Sequence, residues 1–310
     1  MSLPSDRDLV IAGDCGQVLP LLPDASFQMI YVDPPFNTGR TQRRETLTTT
    51  ASRPAAASAD TPADQATDEL ATPQSQAGAR LGFHGRTYDM VKGAVTQYDD
   101  RFADYWEFLE PKLAQAWRLL DPTGTLYLHL DYRESHYAKV LLDALFGRDC
   151  FLNEIVWAYD YGGRSKRRWP TKHDTILVYV KDPARYYFDS EQVDREPYMA
   201  PGLVTPEKAA RGKLPTDVWW HTIVSPTGKE KTGYPTQKPE GVVRRMVQAS
   251  TRPGDRVLDF FAGSGTLGAV AAAAGRRYVL VDSNPAAVDV MRARLSVGES
   301  PPEVVGVGDL

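Results

Sequence analysis

The sequence alternates short apolar runs with amphipathic helical stretches, and this alternation is the feature that most constrains the fold. Apolar runs occupy residues 8–14, 27–33, 125–131, 255–261 and 277–282. Runs of this length that are mostly apolar are typical of strands buried on both faces. A helical period follows near residue 105, where Tyr105, Leu109 and Leu113 fall on one face. The pattern predicts an α/β protein with a doubly wound, mostly parallel sheet that helices cover on both faces.

Three segments lie outside this alternation. Residues 41–82 are rich in Ala, Thr, Ser, Pro and Gln, so burial there cannot offset the loss of chain entropy. We expect a mobile, low-complexity insertion at 41–82, either an inert loop or a lid that orders on substrate. Residues 183–232 are irregular and predict a small inserted subdomain, and residues 301–310 predict a flexible tail. The main domain is then expected at 1–40, 83–182 and 233–300.

Composition excludes several classes of protein. No apolar run approaches the roughly 20 residues that span a bilayer, and the polar N-terminal stretch is unlike a secretory signal, so we expect a cytoplasmic protein with no membrane segment. Cys15 and Cys150 are the only cysteines, which predicts no disulfide framework. The five histidines are scattered, which predicts no metal site. The net charge of −4 argues against non-specific binding of nucleic acid, although an average can hide a local basic face.

The stretch VLDFFAGSGTLGAV at 257–270 runs from a predicted strand through a glycine-rich turn into a predicted helix. Gly263 and Gly265 allow the backbone to approach a ligand closely, and the start of the helix offers free N–H groups. Gly268 completes a G-x-G-x-x-G spacing, and Asp282 stands about 20 residues on, where a carboxylate can accept ribose hydroxyls. The motif indicates a cofactor that contains adenosine, with an ordinary strand–helix turn as the alternative.

A second motif, Asp33-Pro34-Pro35-Phe36, follows the apolar run at 27–33. The prolines stop the strand from continuing, so the Asp33 side chain and the Pro34 carbonyl can face one spot as two acceptors. Two acceptors suit a planar amino group with two protons, and the ring of Phe36 offers a surface on which an aromatic base can stack. The motif indicates a pocket for an aminated base, with a simple turn as the alternative.

The two motifs are distant in sequence, yet both follow strands. Ligands of open α/β sheets gather at the carboxyl ends of the strands, near the point where the strand order reverses. We therefore expect the two motifs to line one crevice. A cofactor in one half and an amino group in the other favour transfer of a group to nitrogen.

Several stretches resemble those of the beta-type (permuted) S-adenosylmethionine-dependent DNA amino-methyltransferases, in which the catalytic motif also precedes the cofactor motif with the recognition region between them. DPPF resembles the catalytic tetrapeptide of that family, and DFFAGSGT resembles its S-adenosylmethionine loop. YPTQKPEGVVRRMV resembles the segment that closes over the methionine part of the cofactor, and VIAGDCGQVLPLLPD the N-terminal motif near the adenine. The resemblance implies the Rossmann-like methyltransferase fold, catalytic residues Asp33, Pro34, Pro35 and Phe36, and cofactor-binding residues Asp14, Cys15, Thr236, Lys238, Pro239, Asp259, Phe261, Gly263, Ser264, Gly265, Thr266 and Asp282.

The resemblance also implies a mechanism. The target base is rotated out of double-stranded DNA, the two acceptors of the motif hold its amino group, and the nitrogen attacks the methyl group directly. An aspartate at the first catalytic position, here Asp33, is usual for adenine-N6 enzymes, so we expect adenine, with cytosine-N4 as the alternative. The residues also leave open a nucleotide-dependent oxidoreductase and a nucleic-acid binder with a decayed site. Modification subunits of restriction systems belong to the same group.

The DNA contact is expected in the loop GGRSKRRWPTK. Its basic side chains can neutralise phosphates, and its tryptophan can stack or wedge between bases; the candidate DNA-binding residues are Arg164, Lys166, Arg167, Arg168, Trp169 and Lys172. The segment 183–232 is expected to contain the sequence-reading element, with Trp219 and Trp220 forming its own core. Because this segment is short, a homodimer or a restriction-system partner is expected to help in recognition.

Overall fold

A computed structural model describes residues 7–37, 40–51, 80–81, 87–100, 105–162, 164–296 and 301–310. The chain divides into two compact units, residues 1–42 with 98–310, and residues 43–97. The first unit contains a nine-stranded sheet, and the second contains a sheet of three strands.

The nine-stranded sheet confirms the predicted fold class. Its strands are β1 (Leu9–Ala12), β2 (Phe27–Val32), β6 (Leu120–Leu130), β7 (Phe151–Ala158), β8 (His173–Val180), β9 (Val218–Trp220), β10 (Arg256–Asp259), β11 (Arg277–Asp282) and β12 (Glu303–Gly306). They lie in the order β12-β1-β11-β10-β2-β6-β8-β7-β9. All neighbours from β12 to β6 are parallel, while β8 runs antiparallel to β6 and to β7. The sheet is therefore mostly parallel, as expected.

Helices cover both faces of this sheet. They are α1 (Cys15–Val18), α2 (Tyr105–Leu119), α3 (Ser135–Phe146), α4 (Pro206–Arg211), α5 (Glu240–Ser250), α6 (Thr266–Ala273) and α7 (Pro285–Leu295). Successive side chains along a strand point to opposite faces and pack in two separate cores. On β11, Val279 and Val281 pack in the core with α1, α2 and α3, whereas Tyr278 and Leu280 pack in the core with α5, α6 and α7. Runs with apolar residues at successive positions thus supply both faces.

The strand order reverses between β10 and β2. These two strands pair in parallel, with Leu258 opposite Ile30 and Asp259 opposite Tyr31. Helix α6 leaves β10 toward one face, while α2, the first full helix of this unit after β2, packs on the other face. Chains that diverge in this way open a crevice at the carboxyl ends of the strands.

Two boundaries differ from the sequence prediction. The predicted flexible tail at 301–310 is wrong, because Glu303–Gly306 forms an edge strand paired in parallel with β1. Its valines supply the reason, since Val305 and Val307 pack against the core. The segment 183–232 belongs to the first compact unit, and it contributes β9 to the main sheet.

The second unit includes most of the predicted insertion. The structure assigns β3 (Arg40–Ala51), β4 (Arg80–Leu81) and β5 (Thr87–Asp100), in the order β3-β5-β4. Strand β3 differs from the irregular insertion expected from residue 41, and its threonines are β-branched residues that suit extended backbone. Residues 52–79 and 82–86 lie outside the described residues, so the mobility of the insertion stays a prediction. Among the helices of the described ranges, none is long and apolar enough to cross a membrane.

Gly268 illustrates how closely α6 packs on the sheet. A Cβ atom at this position would lie 2.7 Å from Leu280 Cδ1 and 3.2 Å from Leu295 Cδ1. The third glycine of the G-x-G-x-x-G spacing therefore serves contact between helix and strand.

We predict that Gly268→Val lowers the free energy of unfolding by about 1–3 kcal/mol, because the added methyl groups overpack this contact. Urea unfolding followed by circular dichroism measures the shift in midpoint. Gly202→Val is the matched control, since no other atom lies within 4 Å of a Cβ built at Gly202. Equal midpoints for the two variants would refute the packing role of Gly268.

Candidate active site

One cavity lies at the carboxyl ends of β2 and β10, and residues of both motifs line it. Its volume is about 430 Å³, within the range of roughly 300–1,000 Å³ that is usual for small-molecule sites. The shared crevice that the sequence predicted is therefore present. Asp33 follows β2 and Gly263 follows β10, so the parallel pairing of these strands sets the two motifs side by side.

The cavity contains most of the predicted site residues. Those in its lining are Asp14, Cys15, Asp33, Pro34, Pro35, Phe36, Thr236, Lys238, Asp259, Phe261, Gly263, Ser264, Thr266 and Asp282. Gly265 and Pro239 stand just outside the lining, as the residues that precede α6 and α5. The sequence analysis did not single out Tyr31, Phe108, Tyr234, Gln237, Phe260, Ala262, Ser283 and Asn284, which also line it. Most of these adjoin the quoted motifs, but Phe108 comes from α2, where no motif marks it.

The glycine bend has a left-handed backbone. Gly263 has φ +50° and Gly265 has φ +71°, and a Cβ atom on Gly265 would lie 2.8 Å from Met291 Cγ. Glycine is thus required there for both conformation and space. The bend is held to β11, because the N–H of Gly263 donates to the Asp282 carboxylate at 2.8 Å and the N–H of Asn284 donates to its other oxygen at 2.8 Å.

Asp14 and Cys15 approach the cavity from β1. The Asp14 carboxylate accepts a hydrogen bond from the N–H of Gly16 at 2.8 Å and so caps the short helix α1. Burial raises the pKa of the Cys15 thiol to about 12. A thiol that stays protonated at neutral pH is a poor nucleophile, so Cys15 contributes packing to the cavity wall.

Asp33 is paired with a lysine from the distant segment that precedes α5. The ammonium Nζ of Lys238 lies 2.6 Å from Oδ1 and 2.5 Å from Oδ2 of Asp33. Both side chains are nearly buried, with exposed fractions of 11% for Lys238 and 15% for Asp33. The same Nζ lies 4.8 Å from the centre of the Phe36 ring. The carboxylate, the ammonium and the aromatic face therefore form one compact cluster.

A chain of buried polar groups supports this cluster. Tyr31 Oη lies 2.7 Å from His129 Nδ1, and His129 Nε2 lies 3.2 Å from an oxygen of Asp174. The Tyr159 hydroxyl donates to the other Asp174 oxygen at 3.0 Å. The His129 ring is fully buried, and its centre lies 5.8 Å from that of Phe36. These hydrogen bonds thus fix the His129 ring, against which Phe36 packs. No local sequence motif marks His129 or Asp174.

Four carboxyl groups and one cation line the cavity. The carboxyl groups belong to Asp14, Asp33, Asp259 and Asp282, and Lys238 is the only lysine or arginine in the lining that the structure describes. Burial raises the pKa of Asp259 well above its ordinary range, and burial also raises the pKa of Asp282. The described residues contain no group of three or more potential metal ligands. The cavity therefore favours a ligand that carries positive charge.

Hydrogen bonds and an ion pair join the segment before α5 to the glycine bend. Thr266 Oγ1 donates to the main-chain oxygen of Lys238 at 3.1 Å. Arg294 donates to the carbonyl of Ser264 at 3.1 Å and pairs with Glu240 at 2.6 Å. The backbone of Lys238 is therefore fixed relative to α6 and α7.

The basic loop lies at the same edge of the sheet as the cavity. It joins β7 to β8, where Ala158 stands opposite His173, and the register of β8 with β6 puts that end beside Leu130, at the carboxyl end of β6. Its basic and aromatic positions 164 and 166–169 are exposed, and Trp169 exposes 94% of its surface. Among the described residues, no ion pair involves Arg164, Lys166 or Arg167. Lys172 lies 3.8 Å from Asp160 and is more enclosed.

The segment 183–232 shows a different charge pattern. Arg185 pairs with Asp182 at 2.6 Å, and Arg211 pairs with Glu191 at 2.6 Å. Acidic groups of this segment also hold it to α5, since Arg244 and Arg245 pair with Asp194 and Glu196. Trp219 is buried and Trp220 is 74% exposed. The prediction that the two tryptophans form a core of this segment is therefore wrong. Trp219 packs in the core of the main sheet, and Trp220, near the end of β9, faces outward.

A family model described as DNA methylase matches residues 27–293. The Type II methyltransferase M.HpaI of Haemophilus parainfluenzae is 32% identical over 209 residues, which are 67% of this chain and 65% of that protein. The DNA adenine methyltransferase YhdJ of Escherichia coli strain K12 is 32% identical over 207 residues, 64% of this chain and 68% of that protein. The chain thus spans about two thirds of the length of these relatives.

Solved structures share the fold. The M1.HpyAVI–SAM complex has a TM-score of 0.54 at 18% identity, and the match covers 93% of this chain and 98% of that one. The cytosine-N4-specific PvuII DNA methyltransferase has a TM-score of 0.57 at 12% identity, with coverage of 98% and 96%. At this level of identity the likeness concerns the fold.

We predict that Asp259→Asn makes the ligand-free protein less sensitive to rising pH. Between the ordinary carboxyl pKa near 4 and its raised value, folded Asp259 holds a proton that the unfolded chain has lost. Stability therefore falls as pH rises, by at most about 1.4 kcal/mol per pH unit for one group. The amide oxygen of Asn can still accept the hydrogen bond from the Phe261 N–H, which measures 3.0 Å to Asp259.

Melting temperatures between pH 5 and pH 8 measure this difference. Asp289→Asn is the control, since that side chain is 74% exposed. Parallel curves for the wild type and Asp259→Asn would contradict the assignment of a protonated Asp259.

Proposed function

We propose, from the premise that this chain belongs to the family of DNA methylases, that it transfers a methyl group from S-adenosylmethionine to the N6 amino group of adenine in double-stranded DNA. One observation carries the proposal: the Asp33 motif and the glycine bend line the same cavity, at the ends of two paired parallel strands. Methyl transfer needs the donor and the acceptor nitrogen close together, and this pairing holds the two halves of the cavity side by side.

The cavity fits the cofactor. S-adenosylmethionine supplies an electrophilic methyl group on a positively charged sulfur, which keeps the electrons of the broken C–S bond and leaves as a neutral thioether. The glycine bend from Gly263 to Thr266 would hold it, together with Asp14 and Asp282, whose carboxylates can each accept from hydroxyl or amino groups. Asp259 would accept from an ammonium group and become ionised on binding. The abundance of carboxylates suits a ligand with net positive charge.

The acceptor half of the cavity suits an aminated base. Phe36 offers its face to the ring, and the Asp33 carboxylate and the Pro34 carbonyl accept the two amino protons. Both protons then point toward the protein, so the lone pair of the nitrogen is free to form the new N–C bond. The nitrogen loses its surplus proton along the hydrogen bond to Asp33. The buried chain of Tyr31, His129 and Asp174 keeps Phe36 in place.

Adenine is the preferred base for two reasons. The resemblance associates an aspartate at position 33 with adenine-N6 enzymes, and the relative YhdJ is named as a DNA adenine methyltransferase. The cytosine-N4-specific PvuII enzyme shares the fold at 12% identity, so the N4 amino group of cytosine is the alternative acceptor. M.HpaI is named as a Type II methyltransferase, which favours a role in restriction and modification in the cytoplasm.

The basic loop supports a DNA substrate. It lies at the edge of the sheet where the cavity opens, and its arginines are exposed at positions 164, 167 and 168. A duplex that contacts this loop can deliver a rotated base to Asp33. Strand β9 also ends at this edge, with Trp220 opposite Ala158. The residues around Trp220 are therefore the part of 183–232 that we assign to sequence reading.

Incubation with labelled S-adenosylmethionine and unmethylated genomic DNA, followed by digestion to nucleosides, tests the function. N6-methyldeoxyadenosine is the expected product, and sequencing of the modified DNA then gives the recognition site. N4-methyldeoxycytidine would move the assignment to the alternative base. Unlabelled DNA, with the cofactor bound, would contradict the proposal.

We predict that Asp33→Ala lowers the rate of methylation by roughly 100-fold or more, because the variant loses a charge-assisted hydrogen bond to the acceptor. Cofactor affinity, measured by calorimetry, should change less than about threefold, a shift below 1 kcal/mol. Asp33→Asn tests the charge alone, since the amide keeps one acceptor oxygen. An equal loss of cofactor affinity and rate would show that Asp33 acts on the cofactor instead.

We predict that Arg164→Ala and Arg167→Ala each weaken DNA binding and each reduce the slope of log Kd against log salt by about 1. The matched control is Arg185→Ala. Arg185 is exposed but paired with Asp182, and it follows β8 at the opposite edge of the sheet. Fluorescence anisotropy of a labelled duplex at several salt concentrations measures both quantities. A slope change for Arg185→Ala as large as that for the loop variants would rule out the assigned surface.

A further inference from the structure

Lys238 occupies the place that the proposed function assigns to the amino group of the base. Its ammonium is bonded to both oxygens of Asp33 and lies over the face of Phe36. The target amine would need the same carboxylate and would lie beside the same ring. An ammonium and an amino group both donate N–H bonds, so Lys238 is a chemical stand-in for the acceptor. The two groups compete for one position.

We propose that Lys238 controls access to the acceptor site according to the charge of the cofactor. The Lys238 ammonium leaves Asp33 free to bind the target base when the cofactor in the neighbouring half is positively charged. It binds Asp33 again when the cofactor is neutral. This inference rests on the proposed function, and it assigns to Lys238 a role different from the cofactor contact expected from the sequence.

The electrostatics of the cavity support this control. Lys238 is the only lysine or arginine among the described lining residues, and its ammonium neutralises the carboxylate of Asp33 in a lining that holds three further carboxyl groups. A second cation in the same enclosed space repels the ammonium, because the charges interact across a medium of low effective dielectric. The sulfonium supplies such a cation before transfer, and the thioether does not after transfer.

The backbone around Lys238 makes its side chain the part that moves. Its carbonyl oxygen is bonded to Thr266 at the start of α6, and the next helix is held through the ion pair of Glu240 with Arg294. The long side chain can leave Asp33 while its backbone stays attached to the glycine bend. Asp174 is near enough for its charge to interact with that of Lys238. Its carboxylate offers the displaced ammonium another negative partner.

The consequence is an order of events. Cofactor binding weakens the hold of Lys238 on Asp33, so the base is admitted when a methyl group is available. Loss of the positive charge on transfer restores the competition, and Lys238 helps to expel the methylated base. DNA affinity should therefore depend on the charge of the bound cofactor, and this dependence should require a cation at position 238.

The experiment compares two non-reactive ligands. S-adenosylhomocysteine is neutral at sulfur, whereas sinefungin carries an amine, protonated near neutral pH, in place of the sulfonium. Dissociation constants are measured for a duplex that contains the recognition site, with each ligand in saturating amount and at one salt concentration. The proteins are the wild type, Lys238→Met, Lys238→Gln and Lys238→Arg.

The wild type should bind the duplex roughly tenfold more tightly with sinefungin than with S-adenosylhomocysteine, the order expected for one unit charge across a protein cleft. In Lys238→Met and Lys238→Gln the ratio of the two dissociation constants, with S-adenosylhomocysteine over with sinefungin, should fall to about 1. The main reason is that the protein with S-adenosylhomocysteine bound gains affinity for the duplex. Lys238→Arg should keep most of the ratio. A role of Lys238 in folding alone would weaken binding with both ligands and leave the ratio unchanged.

Two results would overturn the inference: a wild-type ratio near 1, or an unchanged ratio in a folded neutral variant. Melting temperature and affinity for S-adenosylhomocysteine identify the folded variants. The ratio measured for the wild type tests the inference even if both neutral variants fail to fold. Methylation of genomic DNA by the wild type is measured first. Its absence would refute the proposed function and this inference together, whereas methylation with a ratio near 1 would refute the inference alone.

Discussion

The parallel pairing of β2 with β10 is the constraint on which the rest of the site depends. Residues 29–31 and 257–259 are neighbours in the sheet, so the segments that follow them start about one strand spacing apart. The two segments then diverge, because α6 packs on one face and α2 on the other. A rigid sheet thus fixes the distance between the acceptor motif and the glycine bend, and the loops supply the chemistry. This arrangement suits a reaction in which positioning provides most of the rate.

Burial of acidic groups gives the cleft its second property. Asp259 and Asp282 have raised pKa values because they lie away from solvent. A cationic ligand offsets the free energy that this burial costs. The acidic groups of the ligand-free site therefore lack the positive charge that would stabilise their ionised form. Lys238 supplies a positive charge beside Asp33, whose carboxylate would otherwise face other acidic groups. The same property that favours the positively charged cofactor therefore explains why a lysine is found on the acceptor side.

Sequence reasoning predicted the parts of this site that are local. The strand exit at Asp33 and the glycine bend at Gly263 and Gly265 both follow from short stretches, because a few adjacent residues determine each one. It missed contacts that only folding brings together. Asp33 and Lys238 are 205 positions apart, and Tyr31 and His129 are 98 apart. The edge strand at Glu303–Gly306 was missed for a related reason, since four residues carry too little pattern to distinguish a strand from a tail.

The charge distribution explains how a chain with net charge −4 can bind DNA. Several basic side chains of 183–232 are neutralised by nearby acids, such as Arg211 by Glu191, and they contribute little field beyond a Debye length of about 10 Å. The loop between β7 and β8 has exposed arginines at the edge where the cavity opens. Because the potential near a phosphate depends on charges within that distance, the local cluster decides the interaction and the net charge does not. The acidic cleft beside it then admits the base, whose ring is neutral, and repels the phosphates that flank it.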